Sequence, residues 1–121
     1  MQQDPQHPAL LSASTIIGDR VANDRNEDLG KVHELMIDVR RGTIAYVVVA
    51  FGGLMGVGSK LFAVPWKALQ LDPLGRQFRL DIERGRLEGA PGFDKDNWPN
   101  MNDLQWGQEV HRFYGATPYW E

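Results

Sequence analysis

Apolar and polar residues alternate through a segment near the middle of the chain. Between residues 31 and 40, Leu35, Ile37 and Val39 alternate with Glu34, Met36, Asp38 and Arg40, and this period of two is typical of a half-buried β-strand. The pattern therefore predicts one strand face that carries these three residues together. Val32 is out of phase with them, which predicts a β-bulge or a strong twist near the start of the strand.

A second segment, residues 43–51, is almost entirely apolar. Arg41 and Gly42 precede it and predict a tight hairpin, since glycine readily adopts the positive φ that such a turn needs. The strand after the turn is apolar on both faces, whereas a small one-layer barrel has a single interior. Its second face must be covered. We expect the cover to come from the C-terminal segment or from another copy of the protein.

The remaining pattern adds short strands and one short helix. Pro65 cannot donate to a strand ladder, so it must lie at a strand end or at a sheet edge. Residues 83–88 predict one or two helical turns, weakened by Gly85. The predicted fold class is mainly β, a small antiparallel barrel with a short C-terminal helix and an aromatic tail packed on it. The other strands are predicted at residues 14–21, 60–66, 69–71 and 77–82, with Phe78, Leu80 and Ile82 facing inward.

The C-terminal segment is rich in aromatic residues and contains one helical pattern. Residues 102–114 fit a helix in which Asn102 and Gln105 form a capping box and Gly115 ends the last turn. The apolar residues recur at helical spacing, so the helix should lie on another apolar surface. We expect this surface to be the strand face with Ala45, Val47 and Val49, or a neighbouring copy. The apolar side of the helix consists of Trp106, Val110, Phe113 and Tyr114.

Length and composition predict one folded unit with extensions at both ends. A chain of 121 residues supports a single core. Residues 1–13 are rich in Gln, Pro and Asp, which is typical of a flexible tail. Residues 14–88 carry the strand pattern and form the predicted barrel domain. Residues 89–121 form the predicted C-terminal extension, with its helix at about residues 102–114.

Charge and composition narrow the range of functions. The net charge is −3 and no block of basic residues occurs, which argues against direct binding to nucleic acid. The absence of cysteine removes disulfides and thiolate chemistry. The first residues lack the features of a secretory signal, and the longest apolar run is far shorter than the ~20 residues of a spanning helix. We therefore expect a soluble, cytoplasmic chain without a transmembrane segment.

A glycine-rich loop at residues 52–60 suggests two alternatives, a phosphate site and a contact surface. A phosphate-binding loop needs a lysine directly after its last glycine and then a helix, but here Ser59 intervenes and a strand pattern follows. We favour a flexible connection between strands. Leu54, Met55 and Val57 are apolar residues within this loop, and we predict that they contact a partner protein.

No residue pattern in the chain predicts catalysis or metal binding. The histidines at positions 7, 33 and 111 are far apart in sequence, and none has the spacing of a metal motif. His111 is expected on the polar side of the last helix. Residues 94–105 lack the glycine and the final glutamate of a calcium loop. We therefore predict no catalytic, metal-binding or cofactor-binding residues, no cofactor, and a protein that is not an enzyme.

Further candidate contact residues lie on the strand at residues 43–51, which is apolar on both faces, and on the aromatic helix. Because each of these surfaces needs a cover, a second protein molecule is one way to supply it. The complete set of predicted contact residues is Leu54, Met55, Val57, Val47, Val49, Trp106 and Phe113.

Leu29-Gly30-Lys31, Phe51-Gly52-Gly53 and Ala63-Val64-Pro65-Trp66 are the longest of several short motifs between residues 12 and 82. Together these motifs resemble the PRC-barrel family, which is named for the cytoplasmic domain of the purple-bacterial photosynthetic reaction-centre H subunit. The residues after position 89, including Trp98-Pro99 and Pro118-Tyr119-Trp120, resemble those of stand-alone bacterial members. The motifs that carry the resemblance are Leu29-Gly30-Lys31, Ile37-Asp38, Gly42, Ile44-Ala45-Tyr46, Phe51-Gly52-Gly53, Gly56, Gly58, Lys60 and Ala63-Val64-Pro65-Trp66.

The resemblance implies a compact barrel that binds rather than catalyses. In the H subunit this domain covers the reaction centre and influences electron and proton transfer to quinone, and in a ribosome-maturation factor a similar barrel helps to engage the small subunit. Our leading hypothesis is a non-enzymatic adaptor that forms a homodimer or higher oligomer and binds an unidentified protein, which could be membrane-associated. The alternatives are a peripheral component or regulator of photosynthetic or quinone electron transport, and a ribosome-assembly adaptor that binds a basic protein.

Overall fold

Six β-strands form one curled sheet, a half-barrel, in the computed structural model of the protein, which describes residues 10–52, 60–72 and 76–121. The strands lie in the order β4-β3-β2-β1-β6-β5, so β4 and β5 are the edges. A 3₁₀ turn, Trp66–Ala68, joins these two edge strands directly. The strands are β1 (Arg20–Ala22), β2 (Asp28–Asp38), β3 (Thr43–Phe51), β4 (Lys60–Pro65), β5 (Leu69–Asp72) and β6 (Gln77–Leu80).

The predicted mainly β fold is confirmed, and its strand pairing is more varied than the sequence suggested. Four pairings between neighbouring strands are antiparallel, whereas β1 and β6 pair in parallel. Pro65 is the last residue of the edge strand β4, where its missing N–H interrupts no central ladder. Along the edge of β4 that faces away from β3, Leu61 exchanges two backbone hydrogen bonds of 2.9 Å with Phe93. These bonds connect the C-terminal extension to the sheet.

The β2–β3 ladder contains two irregularities. The first lies between Val32 and Glu34, where the predicted bulge is confirmed. The second lies between Met36 and Ile37 of β2 and leaves Ala45 of β3 without a paired residue. Since the bulge adds one residue to β3, Ala45 and Tyr46 both pack on the outer side of the sheet, while Ile44 packs on the inner side.

Only one of the three alternating residues predicted to share a strand face is buried. Leu35 lies in the core, but Ile37 is 55% and Val39 is 86% exposed, so the expectation that the three share a buried face is wrong for two of them. The physical reason is the position of the core. Ile37 pairs with the half-buried Ile44 near the hairpin, and Val39 lies beyond the end of the strand, where no element of the described residues covers either side chain.

Strand β3 is buried on both faces, as its composition predicts. Its inner face contributes to a core cluster enclosed by the curl of the sheet, and its outer face contributes to a smaller cluster beneath the last helix. The inner cluster includes Val21, Leu29, Val32, Leu35, Val47, Val49, Phe62, Val64, Phe78, Leu80 and Leu87; the outer cluster is built on Ala45, Tyr46, Ala63 and Val110.

The segment before β1 is a short helix, α1 (Ala13–Ile16), and not the strand predicted from residue 14 onward. Ser12 caps this helix, because its hydroxyl accepts a hydrogen bond from the backbone N–H of Thr15 at 3.3 Å. Local capping therefore outweighs the β-propensity of Ile16 and Ile17. The chain reverses after β1 around Asn23, whose buried side chain makes four hydrogen bonds, one of them to the carbonyl of Ile82.

Two helices follow the sheet, α2 (Arg84–Glu88) and α3 (Leu104–Tyr114). The predicted end of α3 at Gly115 is confirmed, with φ +68 in the left-handed region. The predicted capping box is wrong, because Asp103 is the N-cap and accepts a hydrogen bond from the N–H of Gln105 at 2.9 Å. The division at residues 13/14 and 88/89 into tail, barrel and extension stays a prediction.

Gly30 is expected to be the least replaceable glycine of the sheet. Its φ is +125, and a Cβ at this position would overlap the carbonyl oxygen of Ala50 on the neighbouring strand. Replacing Gly30 by alanine should therefore lower the free energy of unfolding by about 4 kcal/mol or more. Urea unfolding measures this loss.

Gly18→Ala is the matched control for Gly30→Ala. Gly18 also has a positive φ, +98, but a Cβ added to it would have no other atom within 4 Å. Backbone strain alone should then cost about 1–3 kcal/mol. Equal losses for the two variants would show that the collision with Ala50 does not matter.

Candidate functional site

The turn between β2 and β3 is held by one carboxylate. Asp38 accepts hydrogen bonds from the backbone N–H groups of Arg40 and Arg41 at 3.0 and 3.2 Å, and from the Arg41 guanidinium at 2.9 Å. The hydrogen bond with the Arg41 side chain holds the pKa of Asp38 below its ordinary value. Gly42 completes the turn with φ +69, so the predicted role of Gly42 is confirmed.

The hairpin end carries an exposed apolar surface, which we call the hairpin patch and define as Ile37 and Val39. Both residues line a depression of about 190 Å³ together with Met36, Met101 and Tyr119. Arg40 and Arg41 are exposed beside it, and Arg41 is paired with Asp38. An apolar centre with a charged rim is the usual composition of a protein-contact surface.

The outer face of β3 is covered within one chain by α3. Trp106 and Val110 of the helix pack on the cluster that contains Tyr46, and the rings of Trp106 and Tyr46 are 5.4 Å apart in an edge-to-face arrangement. Burying Val110 almost completely contributes roughly 1.5–3 kcal/mol. The expected cover by the C-terminal segment is therefore present, although it lies on the face of Tyr46 and not on that of Val47 and Val49.

The helix also buries a histidine that the sequence placed on its polar side. His111 is 1% exposed, and its Nδ1–H donates a hydrogen bond to the carbonyl of Gly107 at 2.7 Å. Burial lowers the pKa of His111 below its ordinary value. The expectation of a polar helix face at this position is wrong, because residues 116–121 turn back and cover it.

The predicted contact residues lie in three different environments. Val47 and Val49 are 0% and 1% exposed inside the inner cluster, so a partner cannot reach them in the folded chain. Trp106 and Phe113 are half-buried against their own chain. Leu54, Met55 and Val57 lie outside the described residues. The structure therefore does not bring the predicted set together, and their role in partner contact stays a prediction.

Sequence reasoning missed the hairpin patch and the burial of His111. The patch had one usable signal, since Ile37 and Val39 directly precede the polar turn where a two-stranded hairpin leaves the core. His111 had a weaker one, because it adjoins Val110 on the apolar side of the helix. His111 is buried only because the residues after Gly115 fold back over this side of the helix, and the sequence pattern does not show that they do.

The described residues contain neither a metal-type cluster nor a membrane-length helix. Across residues 10–52, 60–72 and 76–121, no three His, Asp or Glu side chains come together as possible metal ligands. No helix in the same ranges has both the length and the apolar character needed to cross a bilayer.

The curled six-stranded sheet, with one helix laid across its outer face, defines a small barrel-type domain. The family model of the PRC-barrel domain matches residues 9–87, and the chain therefore belongs to the PRC-barrel family. A comparison with curated proteins gives no match.

A comparison with solved structures finds a similar one in Pseudomonas aeruginosa. It is the crystal structure of a protein described as the 16S ribosomal RNA processing protein RimM, with a TM-score of 0.43 and 14% sequence identity. The match covers 69% of this chain and 50% of that one, so the chain spans half the length of the protein it resembles. The likeness concerns the fold and supplies no argument about function.

Removing the Tyr46 hydroxyl should not weaken the fold. This oxygen is buried and has no hydrogen-bond partner among the described residues, and a buried hydroxyl without a partner costs roughly 1–3 kcal/mol. We expect Tyr46→Phe to raise the free energy of unfolding by about 1 kcal/mol, measured by urea unfolding.

Asn23→Ala provides the contrast to Tyr46→Phe. The Asn23 side chain is equally buried but makes four hydrogen bonds, so its loss should cost about 2–4 kcal/mol. A clear loss of stability in Tyr46→Phe would mean that the hydroxyl has a bonding partner after all.

Proposed function

We propose that the protein is a non-enzymatic interaction module of the PRC-barrel type, an adaptor that binds other proteins through the hairpin patch. The observation that carries this proposal is the exposure of Ile37 and Val39, two aliphatic residues two positions apart at a hairpin end where Asp38 accepts hydrogen bonds from Arg40 and Arg41. Isolated apolar residues on a surface are ordinary, whereas adjacent ones around a depression with a charged rim favour a contact site.

The arrangement of the buried polar residues also supports a binding role. The described chain buries Asp19, Asn23 and His111, and their contacts hold the backbone in place. Asn23 organises the turn after β1, His111 bonds within α3, and the Asp19 carboxylate lies 3.8 Å from the guanidinium of Arg76. Each of these side chains is therefore explained by the architecture of the domain.

The charge of the chain favours a protein partner over a nucleic acid. The net charge of −3 repels phosphate backbones, and the arginines beside the patch are too few for a basic stripe. The acidic balance remains compatible with a basic protein as partner. The partner can also be a second copy of the chain. Because α3 already covers the outer face of β3, such an oligomer would have to form through the hairpin patch.

Changing Val39 to glutamate should abolish partner capture while leaving the fold intact. A charge in the apolar centre of a contact surface disfavours its burial, and we expect at least a tenfold loss of captured partner. Because Val39 is 86% exposed, the free energy of unfolding should change by no more than about 0.5 kcal/mol. The measurement is capture from a native lysate with quantification of the bound proteins.

Leu10→Glu is the matched control for capture by the hairpin patch. Leu10 is 91% exposed and does not border the hairpin depression, so this variant carries the same charge change elsewhere on the surface. Equal capture by wild type and Val39→Glu would contradict the proposed site. Recovery of ribosomal proteins, or of electron-transport proteins, would assign the adaptor to one of the two specific processes named from the family resemblance.

Light scattering tests the oligomeric part of the proposal. Wild type should form a dimer or larger assembly whose mass falls to that of one chain in Val39→Glu, because the same patch would be buried between copies. A wild-type protein that stays a monomer at high concentration would exclude self-association and leave only the binding of other proteins.

A further inference from the structure

The residues after α3 fold back over the helix. Gly115 reverses the chain in the left-handed conformation, and residues 116–121, which we call the C-terminal strap, then cross the buried side of α3. Trp120 lies in a notch at Gly107, where a Cβ would stand 2.9 Å from its ring. The ring of Tyr119 packs edge-on against Tyr46 of β3 at 5.5 Å.

The strap covers the imidazole of His111. Three aromatic rings surround it, with centroid distances of 5.4 Å to Tyr46, 5.8 Å to Tyr119 and 5.4 Å to Trp120. Two of these rings belong to the strap, so the strap separates the histidine from solvent. The hydroxyl of Tyr46, which has no hydrogen-bond partner among the described residues, also adjoins Gly107. Opening the strap would hydrate both polar groups together.

The charges around His111 oppose one another, so burial decides its protonation. The ionisable groups that face it are Tyr46 on β3, Lys67 in the 3₁₀ turn, and Tyr119 and Glu121 in the strap. Burial lowers the pKa of His111 most strongly. Lys67 lowers it further, while the carbonyl of Gly107 and the carboxylate of Glu121 raise it. The net direction is downward, so the closed strap favours the neutral imidazole.

The first residue of the strap is tied to the end of α3, because the N–H of Ala116 donates to the carbonyl of His111 at 3.0 Å. Beyond it, the polar contacts of the strap with other elements are weak. The Arg41 guanidinium donates to the carbonyl of Trp120 at 3.4 Å, and the Lys67 ammonium donates to that of Pro118 at 3.5 Å. Both are long and exposed, and each contributes little to stability in water. The other sides of His111 are formed by α3 and the sheet, whose displacement would disrupt the core. The strap is therefore the cover that opens at the lowest cost.

From this geometry we propose that the C-terminal strap is an acid-sensitive latch, in which protonation of His111 releases Tyr119 and Trp120 from α3 while the sheet stays folded. A charged imidazole enclosed by three rings loses its hydration, and displacement of the strap restores water to it. The device is independent of the hairpin patch and does not rest on the adaptor function.

The direction of the pH dependence follows from linkage. The closed strap lowers the pKa of His111 below the ordinary 6.5, whereas opening restores the ordinary value. At a pH between these two values the open form binds more protons, so the closed form loses stability as the pH falls below about 6.5. Above that pH both forms carry a neutral His111, and the strap stays closed.

Nuclear magnetic resonance of the full chain between pH 8 and 4.5 tests the latch. The ring signals of His111 report its protonation, and the backbone amides of residues 116–121 report the position of the strap. We expect the strap amides to shift with the same midpoint as His111, and this midpoint should lie below the ordinary histidine pKa of 6.5. Amides of β3 and β4 should keep their positions. Trp120→Ala, which removes the ring from the Gly107 notch, supplies the reference spectrum of an open strap.

Two histidine variants separate the latch from general acid effects. His111→Gln removes the titrating group, and its strap amides should no longer change with pH. His33→Gln removes a histidine that lies outside the strap and should leave the transition unchanged. The proposal is overturned if the strap amides stay constant while His111 of the wild type titrates, if His111 titrates at or above the ordinary histidine pKa of 6.5, or if the β3 and β4 signals disappear in the same step.

Discussion

The structure depends on covering both faces of β3, the central apolar strand. Water is excluded from its inner face by the curl of the sheet, which gathers side chains from all six strands or their flanking turns around Val47 and Val49. Its outer face, with Ala45 and Tyr46, needs a separate cover, and α3 supplies it from the same chain. The aromatic C-terminal segment is therefore part of the folding core of the protein, since without it a buried tyrosine and two alanines would face solvent.

The way in which β3 is covered determines which apolar side chains stay exposed. The helix and the strap cover the middle of β3, but the β2–β3 hairpin extends past them and leaves Ile37 and Val39 uncovered. The Asp38–Arg41 pair and Gly42 hold this hairpin end in one conformation, so the exposed residues are presented on a rigid support. A rigid apolar surface loses little conformational entropy on binding, and this supports the proposal that partners bind at this end of the domain.

A second consequence is that the cover includes polar groups. Tyr46 and His111 lie at the centre of the contact between β3, α3 and the strap, where apolar side chains would pack at lower cost. The hydroxyl of Tyr46 has no partner within the described residues, and His111 is bonded only through Nδ1 in the contacts described. The strap thus closes over groups that favour water, and the proposed latch depends on this opposition.

Much of the fold could be predicted from local patterns, while the site could not. Alternation and composition located β2, β3 and β6, the bulge after Val32, the turn at Gly42 and the end of α3 at Gly115. These features depend on neighbours in sequence, such as a side-chain period or a glycine with positive φ. The short helix α1 was missed because capping by Ser12 competes with β-propensity on nearly equal terms, and the N-cap of α3 was misplaced by one residue.

The sequence by itself determined that β3 is doubly apolar and that a second cover must exist, because both facts follow from residue types in order along one strand. Which face the helix covers, and which apolar residues stay exposed, was decided only by tertiary structure. The bulge that leaves Ala45 unpaired, the extension of the hairpin beyond the core and the return of the strap over His111 each depend on residues far apart in sequence. Burial is a property of the assembled fold. A periodic pattern in the sequence can therefore indicate which side chains are apolar, but not which of them are buried.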